Sequence, residues 1–194
     1  VYNEEQNLYE LNNEIIKAIS NLYQYEIIYV DDCSIDKSLD QLIKLKKKNK
    51  DIKIINNYEN FGQSYSINQG IINSLYNTIV TIDADGQNNP VDIPKLVEIY
   101  FKSKLSLVGG IRKKRKDNLI KRITSWIANN IRSLILNDHC SDTGCSLKVF
   151  DKSIFLQFPF FNGIHRFLPA LFTGYGYKTF FIAVGHRPRI RGYS

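Results

Sequence analysis

Asp83 and Asp85 stand one residue apart at the end of a β-branched run, TIVTIDADGQ (78–87). In an extended segment residues i and i+2 project to the same side, so both carboxylates can address one point. Carboxylate oxygens are hard ligands suited to Mg²⁺ or Mn²⁺. Mg²⁺ typically takes only one or two protein carboxylates and fills other positions with phosphate oxygens. The pair therefore suggests a divalent cation carrying a diphosphate, with Gln87 able to add an amide oxygen. A bare D-x-D is weak evidence, since a turn facing solvent is the commoner explanation. A second strand candidate, however, also ends in acids, YVDD (29–32). One acidic strand end is unremarkable; two at the same sheet edge are a functional signal.

Other phosphate-binding devices are missing. No GxxxxGK[ST] loop exists, which excludes a P-loop, and no GxGxxG follows the first strand candidate, which disfavours a dinucleotide oxidoreductase. A nucleotide would need acidic and aromatic contacts to its base and ribose. Tyr2, Glu4 and Asp32 are candidates, though each alone is as readily structural. The net charge is +7, and seven of the eleven residues of RKKRKDNLIKR (112–122) are basic. Such a run is most often a solvated face; a phosphate or membrane-surface contact is the sharper alternative. A nucleic-acid-binding domain would explain the run but not the acidic strand ends, so no nucleic-acid partner is expected.

These residues need a scaffold. Leu8, Leu11, Ile15, Ile16 and Ile19 follow helical spacing, as do SLDQLIKLKKK and GQSYSINQGIINSL (62–75). EIIYV (26–30), IKII (52–55), TIVTID (78–83) and LSLVGG (105–110) read as strands, and Pro94 sits where a helix would begin. The alternation predicts an α/β domain with a mainly parallel sheet flanked by helices, binding ligand beyond the carboxyl ends of its strands. The second half predicts a long helix over 119–136, a strand in DTGCSLKVFD, a Phe-rich stretch over 155–172, and a strand in KTFFIAVGHRPR. At 194 residues, with no linker or repeat, the chain reads as one domain. It starts at Val1 and contains no methionine, so a fragment truncated at both ends is expected. No stretch approaches 18 consecutive apolar residues. Three cysteines without CxxC spacing (Cys33, Cys140, Cys145) are expected to be free thiols in a reducing compartment.

Taken in order, VYNEE (1–5), VDDCSIDKS (30–38), NFGQSYSINQG (60–70), DADGQNNP (83–90), GGIR (109–112), DTGCSLKVF (142–150), GIHRFLPAL (163–171) and HRPRIRGYS (186–194) resemble the family 2 glycosyltransferases of GT-A fold. Within them the chain is most similar to the branch that moves a sugar from a nucleotide sugar to a polyprenyl phosphate, such as dolichyl or undecaprenyl phosphate. The resemblance covers essentially the whole chain and implies a single GT-A catalytic domain over 1–194. It implies nucleotide-sugar contacts at Tyr2, Glu4, Val30, Asp32, Asp83, Ala84 and Arg189, and Mg²⁺ or Mn²⁺ on Asp83, Asp85 and Gln87. It places the acceptor phosphate near Arg112, Arg122, Ser125, His165 and Arg166. Asp85, Asp142, Arg112 and Arg122 are implied to carry the catalysis.

The implied partners are a UDP- or GDP-linked sugar, a polyprenyl phosphate and a membrane surface, at the cytoplasmic face of a cell-envelope membrane. Sugar identity and oligomeric state have no signature. Charge building on the β-phosphate would be met by the metal and arginines. A phosphate acceptor is already ionised near neutral pH and needs positioning more than deprotonation, with inversion at the anomeric carbon expected. The alternative is a saccharide or protein hydroxyl acceptor, with Asp142 as base. The chain departs from the pattern in several places. The strand and proline expected before YNEE and the lysine expected after Gly-Tyr-Ser are absent. Asp-Gly-Gln replaces Asp-Leu-Gln, and Cys33 and Cys145 stand where glycine is frequent. Impaired turnover by this exact chain is expected. The Phe-rich stretch reads either as core or as a segment lying at the bilayer surface.

Overall fold

A computed structural model describes residues 1–112 and 140–189. The elements are α1 (Leu8–Ile19), β1 (Ile27–Asp31), α2 (Ser38–Lys48), β2 (Ile52–Asn56), α3 (Gln63–Ile72), β3 (Thr78–Thr81), a 3₁₀ turn (Pro90–Asp92), α4 (Ile93–Lys102), β4 (Leu107–Arg112), β5 (Lys148–Asp151), the single-turn α5 (Lys152–Phe155), α6 (Ile164–Gly174) and β6 (Thr179–Val184). The strands and helices read from periodicity are present. The helix expected over 119–136 and the basic run beyond Arg112 lie outside the described residues.

Helical spacing on α1 delivers Leu8, Leu11, Ile15 and Ile19 to one buried face, and α4 likewise buries Ile93, Leu96, Val97 and Tyr100. These join Leu42, Leu45, Val108, Leu147 and Val149 in one core. A second core gathers Leu107, Phe150, Phe155, Phe158, Ile164, Leu168 and Phe172 beneath α6.

β1 pairs in parallel with β2, while the other strands form a sheet of order β3-β5-β4-β6. The α/β class with flanking helices stands, but the larger sheet is mixed rather than mainly parallel. β5 runs antiparallel to both β3 and β4, and only β4 and β6 are parallel within it. The parallel expectation came from βα alternation, and β5 does not follow β4 through a single short crossover. βα alternation by itself does not fix the direction of a strand that the 35 residues from 113 to 147 separate from β4.

The edges of β1 and β3 face each other across a cleft of about 750 Å³, lined by Ile27–Val30 on one side and Thr78–Ile82 on the other. Val1 pairs with β1: its amine donates to Val30 O at 2.8 Å and its carbonyl accepts from Asp32 N at 2.8 Å, the pattern of a parallel bridge. The residues of β3 are half-buried.

Candidate active site

The cleft continues past the strand ends to the acidic residues. Tyr2, Glu4, Val30, Asp32, Asp83, Ala84 and Asp85 line it together with Arg189, so all the residues assigned to the nucleotide sugar converge there. Gln87, Arg112, Asp142, His165 and Arg166 are not part of its lining. Arg122 and Ser125 lie outside the described residues, as do the last residues of the R-x-x-G-x-S pattern.

Asp83 and Asp85 follow β3 directly. Asp83 N donates to Ser146 Oγ at 3.1 Å, and its carboxylate Oδ1 accepts from Gln63 Nε2 at 2.8 Å. Ser146 in turn donates to Asn88 Oδ1 at 2.7 Å, tying the acidic loop to the segment before β5. Asp85 Oδ1 accepts from Gln87 N at 3.0 Å across Gly86, whose φ of 73° is the left-handed conformation that glycine tolerates best. Burial and then the charge of Asp85 push the Asp83 carboxyl above its usual range, against the Ser146 hydrogen bond. Two hard oxygen donors that repel each other are suited to a divalent cation whose remaining ligands come from elsewhere. Among the described residues no group of three or more His, Cys, Asp or Glu side chains could hold a metal by itself. Gln87 Nε2 approaches Arg187 O at 3.4 Å.

Asp32 is committed to the protein. Its carboxylate accepts from Asn57 Nδ2 (2.7 Å), Phe61 N (3.0 Å) and Gly62 N (2.8 Å). Burial opposes its ionisation, but these hydrogen bonds outweigh that and hold its carboxyl below the ordinary range. It thereby fixes the start of α3. Neighbouring Cys33 adopts a left-handed φ of 61°, the conformation expected where glycine is frequent.

Arg189 reaches the cleft from the far end of the chain. Past β6, Arg187 N donates to Gln87 O at 2.8 Å, and its guanidinium grips both Glu14 oxygens at 2.8 and 2.9 Å. That anchor carries Arg189 Nη2 to 2.6 Å from Glu4 Oε1. Burial raises the Glu4 carboxyl, against the Asn7 hydrogen bond and the Arg189 charge.

Arg112 and Asp142 form a bidentate pair: Nε donates to Oδ2 at 2.8 Å and Nη2 to Oδ1 at 2.7 Å, with Arg112 N adding a bond at 3.1 Å. Both Asp142 oxygens are engaged. Arg112 ends β4 paired with Val184 of β6, and the close approach there needs Gly110: a Cβ at that position would lie 2.8 Å from Val184 Cγ2 and 3.2 Å from Leu147 O.

Sequence reasoning missed Gln63, Ser64, Ser146 and Lys148. Ser64, 1% exposed, bonds His165 Nδ1 at 2.8 Å across the α3–α6 contact. Lys148 is buried in β5, its Nζ donating to the carbonyls of Thr143 and Cys145, and burial lowers its pKa. A lysine inside the apolar strand pattern of SLKVF was the available clue. None of the three cysteines is in a disulfide, as expected.

Comparison with known proteins accords with this geometry. Residues 1–160 match the model of "Glycosyl transferase family 2". The chain is 35% identical over its full length to a dodecaprenyl-phosphate galacturonate synthase of Rhizobium johnstonii, covering 59% of that protein. It is 32% identical over its full length to an undecaprenyl-phosphate 4-deoxy-4-formamido-L-arabinose transferase of Edwardsiella ictaluri, covering 60% of it. The chain thus spans about 60% of the length of these curated relatives. Among solved structures, glucosyl-3-phosphoglycerate synthase of Mycobacterium tuberculosis with Mn²⁺ and UDP-glucose superposes with a TM-score of 0.71 at 17% identity, covering 99% of this chain and 70% of that one. A Pyrobaculum calidifontis mannosyltransferase with GDP-mannose and Mn²⁺ gives 0.70 at 15% identity, covering 98% of this chain and 55% of that one. These likenesses establish the GT-A fold. The chain belongs to glycosyl transferase family 2.

Proposed function

We propose that this chain is the catalytic domain of a metal-dependent, inverting glycosyltransferase that moves a sugar from a nucleoside diphosphate to a polyprenyl phosphate. The observation that carries the reading is the convergence of Asp83 and Asp85 with Tyr2, Glu4, Asp32 and Arg189 in one cleft at the strand ends. Relatives named for dodecaprenyl and undecaprenyl phosphate support the acceptor, and neighbours solved with Mn²⁺ and nucleotide sugars support the donor and the metal.

Asp83 and Asp85 would hold Mg²⁺ or Mn²⁺, which when bound neutralises charge developing on the diphosphate. Gln63 and Ser146 orient Asp83, while the Gly86 turn orients Asp85. Tyr2, 47% exposed, supplies an aromatic face to the cleft lining. Arg189 releases Glu4 to meet the diphosphate, its guanidinium suited to bidentate phosphate contact. An acceptor phosphate oxygen bonds to the anomeric carbon as the bond from that carbon to the β-phosphate oxygen breaks. The electron pair leaves with the nucleoside diphosphate, and the sugar phospholipid forms with inverted configuration. Arg112, Arg122, Ser125, His165 and Arg166 form the acceptor-side group in this reading. The hydroxyl-acceptor alternative needs Asp142 as a base, and Asp142 is fully engaged by Arg112.

Asp85→Ala tests the donor site. Isothermal titration of the full-length protein with UDP- and GDP-sugars in Mg²⁺ or Mn²⁺ should show binding that the variant loses, with its circular dichroism unchanged. Undiminished binding by Asp85→Ala sinks the site, and a retained anomeric configuration in the product sinks the single displacement.

A further inference from the structure

We infer that Ser64 is a positioning residue that locks His165 as a neutral imidazole with its proton on Nε2, making it a hydrogen-bond donor to the acceptor's phosphate rather than a base. This rests on the reading above that the acceptor is a phosphate monoester.

The argument starts from one hydroxyl. Ser64 sits in the first turn of α3 and is 1% exposed. Its Oγ accepts from Gly163 N at 2.7 Å, a donor left over at the start of α6. The same Oγ lies 2.8 Å from His165 Nδ1. A serine hydroxyl has one proton to give. Among the described residues His165 Nδ1 is the only acceptor within its reach. If Nδ1 carried the proton instead, two donors would converge on Oγ and the serine proton would be buried without a partner, at about 1–3 kcal/mol. Ser64 therefore donates to Nδ1, and the ring proton stands on Nε2.

The surroundings keep the ring neutral. Burial first, then the positive charges of Arg166 on α6 and Lys148 on β5, bring the His165 pKa down to about 4. A protonated ring would also reverse the Ser64 bond, making Nδ1 a donor and leaving the serine proton without an acceptor. Nε2 makes no hydrogen bond among the described residues and His165 is half-buried, so one oriented N–H remains available. Next to it Arg166 is exposed, adding a fixed positive charge. A neutral N–H beside a guanidinium suits a phosphate oxygen, and an acceptor already ionised needs no base.

The test is a long-range ¹⁵N–¹H correlation on full-length protein labelled at histidine, with His165 assigned by the signal lost in His165→Gln. The expected wild-type pattern is Nε2–H with unprotonated Nδ1 from pH 5.5 to 8, and the Nε2–H signal moves when a short-chain prenyl monophosphate is added in detergent. Ser64→Ala should mix the tautomers and weaken prenyl-phosphate binding about five- to tenfold, the loss of one hydrogen bond. Ser64→Thr should restore both. His165→Ala, which removes the donor altogether, should weaken that binding at least as much as Ser64→Ala, and binding unchanged in His165→Ala overturns the donor role. An Nδ1–H ring in the wild type, or unaltered tautomers in Ser64→Ala, overturns the lock. An Nε2–H signal unmoved by prenyl phosphate overturns the donor role. The tautomer is read without turnover, so a failure of the glycosyltransferase reading appears separately, as nucleotide-sugar binding that is absent or survives Asp85→Ala.

Discussion

His165 shows how one side chain couples chemistry to stability. Its pKa of about 4 lies below the ordinary 6.5, so between these values the unfolded chain binds a proton that the folded chain refuses. Stability contributed by the neutral ring is complete above pH 6.5 and falls as pH drops through that window. Thermal unfolding from pH 7.5 to 4.5 should therefore show a decline that His165→Gln makes shallower. Equal slopes in the two proteins would refute the depressed pKa. Asp83 expresses the opposite logic, its carboxyl raised by burial and by the charge of Asp85. Neither behaviour is visible in a residue type alone; both come from what each side chain faces.

Among elements, the junction of β4 with the segment before β5 matters most. Arg112 ends β4, and Asp142 receives its guanidinium through both oxygens with side chains 14% and 10% exposed. Removing one partner of so buried a pair typically costs about 3–5 kcal/mol, because the other charge is left uncompensated. Asp142→Asn should accordingly lower the melting temperature by roughly 10 °C or more for a domain of this size. A variant that loses transfer but keeps its melting temperature would instead return Asp142 to the role of base. The anchor of Arg187 on Glu14 is a second such joint, since it decides that Arg189 arrives at the cleft rather than at solvent.

For the whole molecule, the Phe-rich stretch is part core and part exposed surface. Phe155, Phe158, Ile164, Leu168 and Phe172 are core, while Leu156, Phe160, Phe161 and Phe167 remain 36–50% exposed on one stretch of chain. Clustered exposed aromatics are what an interfacial contact requires, although among the described residues no helix is long and apolar enough to cross a membrane. Phe160→Ser with Phe167→Ser should reduce co-sedimentation with anionic liposomes at least severalfold while shifting the melting temperature by about 2 °C or less. Binding that ignores both the anionic lipid and the substitutions would assign these rings to another purpose.

Periodicity determined the helices, because their apolar positions recur at 3.6 residues and must bury one face. The ordered motifs determined the family, and the acidic strand ends marked residues that share one cleft, since these lie at fixed offsets from strands that the sequence itself marks. Only the tertiary structure decided where those offsets lead. It turned β5 antiparallel, occupied Asp32 with the α3 loop, closed Asp142 onto Arg112 and brought Ser64 to His165 across 101 residues of chain. The physical reason is the same in each case. A carboxylate or imidazole has its partners chosen by packing between distant segments, and local spacing carries no record of which donor will be waiting there.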